Sequence, residues 1–212
     1  MNAAARRQKR AAHRAAFEYR ALAAAVKLAL CAIRDESGAA RRLHLAGLLA
    51  WTPGQTRHGA TLRIRFDHGP TAWWVAEVLA TPMVTVAELD GDTGVLLIHN
   101  PQRVLGPYGY RDGRWLGGQG HDATLGAVRG AVHAAATFDR AGMTIACPTA
   151  PMMLNLTGLI RRLGIAAFPT GGQPHTVVAA DLVTTALTRL GLDPDVVNAQ
   201  RLRELARKDR SA

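Results

Sequence analysis

Few side chains in this 212-residue sequence are placed for covalent chemistry. Its serines are Ser37, at a helix start, and Ser211, beside the last residue, so a Ser-His-Asp hydrolase has no suitable nucleophile. Cys147 is the one candidate nucleophile. It closes the apolar run Met143-Thr144-Ile145-Ala146-Cys147 and precedes a helical pattern opening near Pro151, and a helix N-terminus favours a thiolate. His121, His133 and His175 are its candidate bases if the fold brings one close. Cys147 reads more simply as a small apolar residue in a core strand, a common place for an unreactive cysteine. No histidine pair has the spacing of a helical metal site, and no Cys/His/Asp/Glu group has zinc or calcium spacing. Neither a Walker A loop nor an intact GxGxxG occurs.

Two glycine-rich stretches are candidate anion sites. Gly171-Gly172-Gln173-Pro174-His175-Thr176 reads as a loop entering a helix capped by Thr176. Exposed amides at such a helix start attract phosphate or carboxylate, and His175 and Thr176 add side-chain donors. Arg114-Trp115-Leu116-Gly117-Gly118-Gln119-Gly120 is a second approach to a helix. Here the chain resembles the acetyl-CoA-dependent N-acetyltransferase superfamily, over about residues 60–168. Arg114, Gly118 and Gly120 match that family's Arg/Gln-x-x-Gly-x-Gly pyrophosphate loop with one residue inserted, and Asn155 stands where the family has an Asn opening a later helix. The resemblance implies a small acyltransferase with a phosphate-bearing cofactor.

Basic residues are more widely spread. The formal net charge is +10, and Lys9, Lys27 and Lys208 are the only lysines, so arginine carries it. Arg6, Arg7, Lys9, Arg10, Arg14 and Arg20 face Glu18 alone among acidic residues in the first twenty. Arg63 and Arg65 alternate with Leu62, Ile64 and Phe66, a strand with an arginine face, and Trp73-Trp74 follow. Arg201, Arg203, Arg207, Lys208 and Arg210 crowd the C-terminal end. Arginines beside an outward tryptophan, here Trp74, suit single-stranded nucleic acid by charge and stacking. The first reading is therefore a non-catalytic basic protein that binds nucleic acid or another polyanion. A small enzyme with a phosphate-bearing ligand is the alternative, and a structural or assembly protein the third. Two distant cysteines suit a reducing, cytoplasmic setting, and no apolar run reaches the roughly 18–20 residues of a membrane span.

The elements follow from periodicity. Residues 3–34 form one helix with an apolar stripe of Tyr19, Leu22, Val26, Ala29 and Ile33. Ser37 caps a second, ending near Ala50. Residues 62–66 read as a strand, 71–79 as strand or helix, with strand preferred for the flanking turns and the aromatic and β-branched content, and 84–89 with 95–98 as a hairpin about Asp90-Gly91. Residues 100–120 read as a long loop. Asp122 caps a helix to Asp139, Thr176 one to Leu190, and Asp193-Pro194 opens the last. Between them, strand 143–147, helix 151–163 and strand 165–168 form a right-handed crossover with parallel strands, whose two Pro-Thr loops share one sheet edge. The expected class is α/β: N-terminal helices, an antiparallel hairpin, then an α-β-α-β-α segment. The expected divisions are a basic helical segment (1–52), a core (60–192) and a basic C-terminal helix (193–212). No internal repeat is visible beyond the two Pro-Thr loops.

Overall fold

The computed structural model describes residues 3–90 and 92–209. A 30-residue helix α1 (Ala3–Ala32) is followed by two halves with the same order of elements. The first runs α2 (Gly38–Trp51), β1 (Gln55–His58), β2 (Thr61–Phe66), α3 (Gly69–Leu79), β3 (Val84–Asp90) and β4 (Thr93–His99). A link follows: α4 (Pro101–Leu105), a 3-10 turn at Gly106–Tyr108, and the two-residue strands β5 (Tyr110–Arg111) and β6 (Arg114–Trp115). The second half runs α5 (His121–Ala135), β7 (Ala136–Asp139), β8 (Gly142–Ala146), α6 (Ala150–Arg162), β9 (Phe168–Pro169) and β10 (His175–Ala179). Helices α7 (Val183–Arg189) and α8 (Pro194–Asp209) close the chain, and α8 packs on α1. The strand orders are β1-β2-β4-β3 and β7-β8-β10-β9, the same pattern twice, so the halves share a topology that the sequence conceals.

Every strand pairing is antiparallel, which overturns the expected parallel pair. Residues 165–168 do not lie beside β8. Strand β10 lies between, with Val177 opposite Thr144 on one side and Phe168 on the other. The chain at 176–178 is Thr-Val-Val, and β-branched side chains favour a strand where a capped helix was expected. The Pro-Thr loops therefore do not form one rim.

Three other expectations are corrected. Residues 71–79 are helical: Pro70 occupies the first turn, and Thr71, Trp74, Val75 and Leu79 are buried at helical spacing. Residues 100–120 are not an open loop but a helix, a 3-10 turn and a small hairpin. Asn100 caps α4 from a left-handed backbone (φ 51°), accepting from the Arg103 amide. Helix α5 stops at Ala135 because Ala136-Thr137-Phe138-Asp139 alternates buried and exposed as a strand, and its cap is Gly120, with Asp122 in the first turn. Ser37 caps α2 through the Ala40 amide, and β3 and β4 form an antiparallel pair, with Gly91 outside the described residues.

Helices α2 and α5 pack together more extensively than any other two elements. Glycine permits it: a Cβ on Gly126 would strike the Ala40 backbone, and one on Gly130 the backbone of His44 and Leu48. On either side lies a core. Leu45, Leu48 and Leu49 of α2 pack with Leu62, Ile64, Phe66, Leu96 and Ile98 of the first sheet and with α3. Val128, Ala131 and Val132 of α5 pack with Phe138, Met143, Ile145 and Val178 of the second sheet, and with α1 and α6.

Candidate nucleic-acid interface

Alternation gives each sheet a buried face and an open one. On the first, Leu62, Ile64 and Phe66 point inward, which turns Thr61, Arg63 and Arg65 outward. Across the open face one rung reads Thr56, Arg63, Leu97, Thr85, and another His58, Thr61, His99. Arg57 and Arg65 are exposed, and Arg63 lies 3.4 Å from Glu88 of β3 in an ion pair that water screens. Thr61 and His99 are hydrogen-bonded at 3.0 Å. The second sheet's open rung is Thr137, Thr144, Val177 and Phe168, polar or apolar but uncharged.

One end of each sheet lies beside the C-terminal ends of α2 and α5. A groove of about 370 Å³ runs from Arg65 and Thr93 past Gly54, Pro53 and Thr52 to Asp67 and Ala134. It continues through Thr52, Pro53, Asp67 and Ala134 to Thr137, Ala146 and Cys147 at the second sheet. Lys27 of α1, which is buried, reaches into this continuation and binds Asp67. The helix ends at the groove are Thr52, whose hydroxyl donates to Leu48 O at 2.7 Å, and Ala136. Neither supplies a carboxylate.

Behind the groove a buried chain of polar side chains crosses the α2–α5 pair. Arg129 donates Nη1–H to Glu36 Oε1 at 2.8 Å and Nε–H to Leu190 O at 2.7 Å. Glu36 also contacts His44 Nδ1 (3.1 Å), His44 Nε2 contacts His133 Nδ1 (3.1 Å), and His133 Nε2 contacts Thr71 Oγ1 (2.9 Å). Thr71 Oγ1 in turn contacts His68 Nδ1 (2.9 Å). Burial would raise the Glu36 carboxyl, but His44 and Arg129 outweigh it and hold Glu36 below the usual carboxylate range. Burial pushes His44 down and His133 well down, and burial with Lys27 nearby takes His68 to about 4. The imidazoles are thus neutral and Glu36 only accepts, which sets the direction of every bond. His44 donates to Glu36, His133 to His44, Thr71 to His133, and His68 to Thr71. Sequence reading missed this chain. Its available signal was the four-residue spacing of Gly126 and Gly130, which marks a helix face that a second helix can approach closely.

The residues singled out from sequence fall in separate places. Trp74 is 4% exposed and its ring lies against His44 (centroids 4.5 Å apart) and His133, so it has no face for a base; Trp73, on the same helix, is 57% exposed. Cys147 is buried, its Sγ near Ile145 O and Thr176 Oγ1. The candidate bases lie elsewhere: His133 is in the polar chain, His175 Nδ1 is 3.0 Å from Gln173 O, and His121 opens α5. Thr176, fully buried in β10, bonds Thr157, so the stretch from Gly171 and Gly172 through His175 leads into a strand and not into a helix start. Arg114 is in the β5–β6 hairpin, Gly118 packs near Leu43 and Ala123, and Gly120 caps α5 with φ 92°. Asn155 is exposed on α6. The stretch from Arg114 to Gly120 thus forms a hairpin strand and the approach to α5, and nothing supports the phosphate-bearing small molecule.

Among the basic residues, Lys9, Arg10 and Arg14 are exposed on α1, and Arg14 pairs with Glu18. The side chains of Arg6, Arg7 and Lys208 lie outside the described residues. Arg201 contacts Asn198, and Arg207 is held by Asp92 of the β3–β4 turn and by Glu204, in a groove lined by Arg20 and Lys27 of α1.

No family model and no curated protein matches the chain. Solved structures do. Full-length DUF199/WhiA from Thermatoga maritima superposes with a TM-score of 0.62 at 8% identity, over 86% of this chain and 65% of that one. The chain thus spans about two thirds of the full-length WhiA structure. The N-terminal LAGLIDADG domain of DUF199/WhiA gives 0.60 at 9%, covering 82% and 94%. The fold resembles a LAGLIDADG domain. I-DmoI in complex with DNA and Ca gives 0.55 at 9% identity, covering 76% and 97%.

Proposed function

We propose that this chain binds double-stranded DNA across the open faces of its two antiparallel sheets, and that it does so without cutting the strand. The observation that carries the reading is the groove at the ends of α2 and α5, which runs from Arg65 of the first sheet to Thr137 of the second, with Arg63 on the same open face as Arg65. An antiparallel ribbon of this kind fits the major groove, and arginines on it neutralise phosphates. The fold supports the reading, because I-DmoI, similar in fold, has been crystallised with DNA. Thr52 and Ala136 at the helix ends carry no carboxylate and the Asp67 carboxylate in the groove is bound by Lys27, which favours binding over metal-assisted cleavage. Trp74 is in the core, so the stacking expected of a single-strand binder has no platform on this sheet.

Fluorescence anisotropy with a labelled duplex tests this. Affinity should fall by orders of magnitude between about 50 and 200 mM salt, with a log–log slope of about −0.9 per phosphate neutralised. Arg63→Glu with Arg65→Glu should weaken binding at least about tenfold and make the slope shallower. The duplex should bind more tightly than a single strand of the same length. An affinity that the double reversal leaves unchanged, or that does not respond to salt, would overturn the proposal.

A further inference from the structure

The buried polar chain ends in a group of side chains that the DNA reading leaves unused. Cys31 comes from α1, His68 from the turn before α3, and His133 from α5. One ligand atom from each lies within 4.8 Å of the other two. Cys31 Sγ is 3.5 Å from His133 Nε2, close to the separation of two ligands on one tetrahedral zinc ion, given Zn–S of about 2.3 Å and Zn–N of about 2.0–2.1 Å. Between them sits the Thr71 hydroxyl, 2.9 Å from each imidazole.

We propose that Cys31, His68 and His133 form a binding site for a zinc-class divalent cation. One thiolate and two imidazoles are the donor set such ions select over magnesium or calcium, which prefer oxygen. The hydrogen-bond chain prepares one ligand. Glu36 accepts from His44, and His44 accepts Nδ1–H from His133, so His133 directs its Nε2 lone pair at the site. A metal-bound histidine is normally oriented by a hydrogen bond from its other ring N–H, and here the acceptor is His44, itself held by the Glu36 carboxylate. On binding, Thr71 gives up its bonds to both imidazoles, the His68 proton facing the site is lost there and regained on the other ring nitrogen so that a lone pair faces the metal, the Cys31 S–H bond breaks, the sulfur lone pair goes to the metal and the thiol proton to solvent. The site opens on two sides. Thr71 and His133 line the groove between the sheets, and His68 lines a second groove with Lys27, Asp67 and Arg20. A bound ion would tie α1 to both halves of the fold. Residues 31, 68 and 133 are too far apart in sequence for any spacing rule to have found them.

Cobalt(II), titrated into the metal-free full chain, is the probe. One equivalent should give the visible bands of tetrahedral cobalt and a thiolate-to-cobalt charge-transfer band, both removed by one equivalent of zinc. The charge-transfer band should vanish in Cys31→Ser and persist in Cys147→Ser. His68→Gln, at a less buried position, should weaken binding at least about tenfold while its far-UV circular dichroism stays that of the wild type. Zinc at about a hundredfold over Kd should raise Tm by about 5–10 °C in the wild type and not in Cys31→Ser. The absence of a charge-transfer band in the wild type, or its survival in Cys31→Ser, would overturn the site. Neither result bears on DNA binding.

Discussion

His44, His68 and His133 share one property: burial favours their neutral forms. Each titrates lower in the folded chain than its ordinary 6.5, so below about pH 6.5 the unfolded chain takes up protons that the native chain refuses. Stability is therefore full above pH 6.5 and is lost as pH falls toward the folded values, near 4 for His68. Each histidine contributes at most about 1.4 kcal/mol per pH unit. Glu36 acts in the same direction but lower, its share going as pH drops below the usual carboxylate value. Urea midpoints of the metal-free protein should stay level from pH 8 to 7 and fall steadily from about 6.5 to 5. His68→Gln should shed one histidine's share of that fall, and a midpoint that rises on acidification would contradict the network.

Helix packing makes a sharper prediction at the level of elements. Gly126 and Gly130 let α5 lie directly on the backbone of α2, so Gly130→Ala has to push the helices apart. Overpacking of this kind costs about 1–3 kcal/mol, and both cores move with the helices. Gly158 sits mid-helix in α6 with open space where a Cβ would go. There the same substitution removes only the flexibility of glycine and should stabilise by about 0.5–1 kcal/mol. Thermal melts of the two variants should therefore move in opposite directions, and similar shifts in both would show that α2 and α5 tolerate separation. The glycine spacing was present in the sequence, but its partner helix was not, because Gly47 and Gly130 are brought together only by the fold. The strand at 175–179 failed for a related reason. Val178, Leu182, Val183 and Ala186 satisfy a helical stripe, and only the open place between β8 and β9 selects the extended form.

Across the whole molecule the positive charge is uneven in use. Arg207 and Lys27 are tied to acidic partners, and Arg63 to Glu88, whereas Lys9 and Arg10 are exposed on the first turns of α1. Described residues 8–14 are exposed throughout, so this part of α1 adds little to the core. A chain lacking residues 1–10 should melt within about 0.5 kcal/mol of the full chain. It should bind duplex DNA more weakly at low salt, with the slope reduced by about 0.9 for each phosphate that is no longer neutralised. A large drop in Tm would show instead that the extension is packed. Among the described residues, no helix is long and apolar enough to cross a membrane.

Taken alone, the sequence determined what depends on neighbours in the chain. It set the long N-terminal helix, the Ser37 cap, the arginine-bearing strand at 61–66, the pairing of β3 with β4 and the Pro194 start of α8, because caps, turns and alternation act over a few residues. Only the tertiary structure decided the antiparallel order of the second sheet, the repetition of one topology, the burial of Trp74 and the meeting of Cys31, His68 and His133. Those depend on contacts between residues tens of positions apart, where a segment that fits both helix and strand takes whichever form fills the space its partners leave.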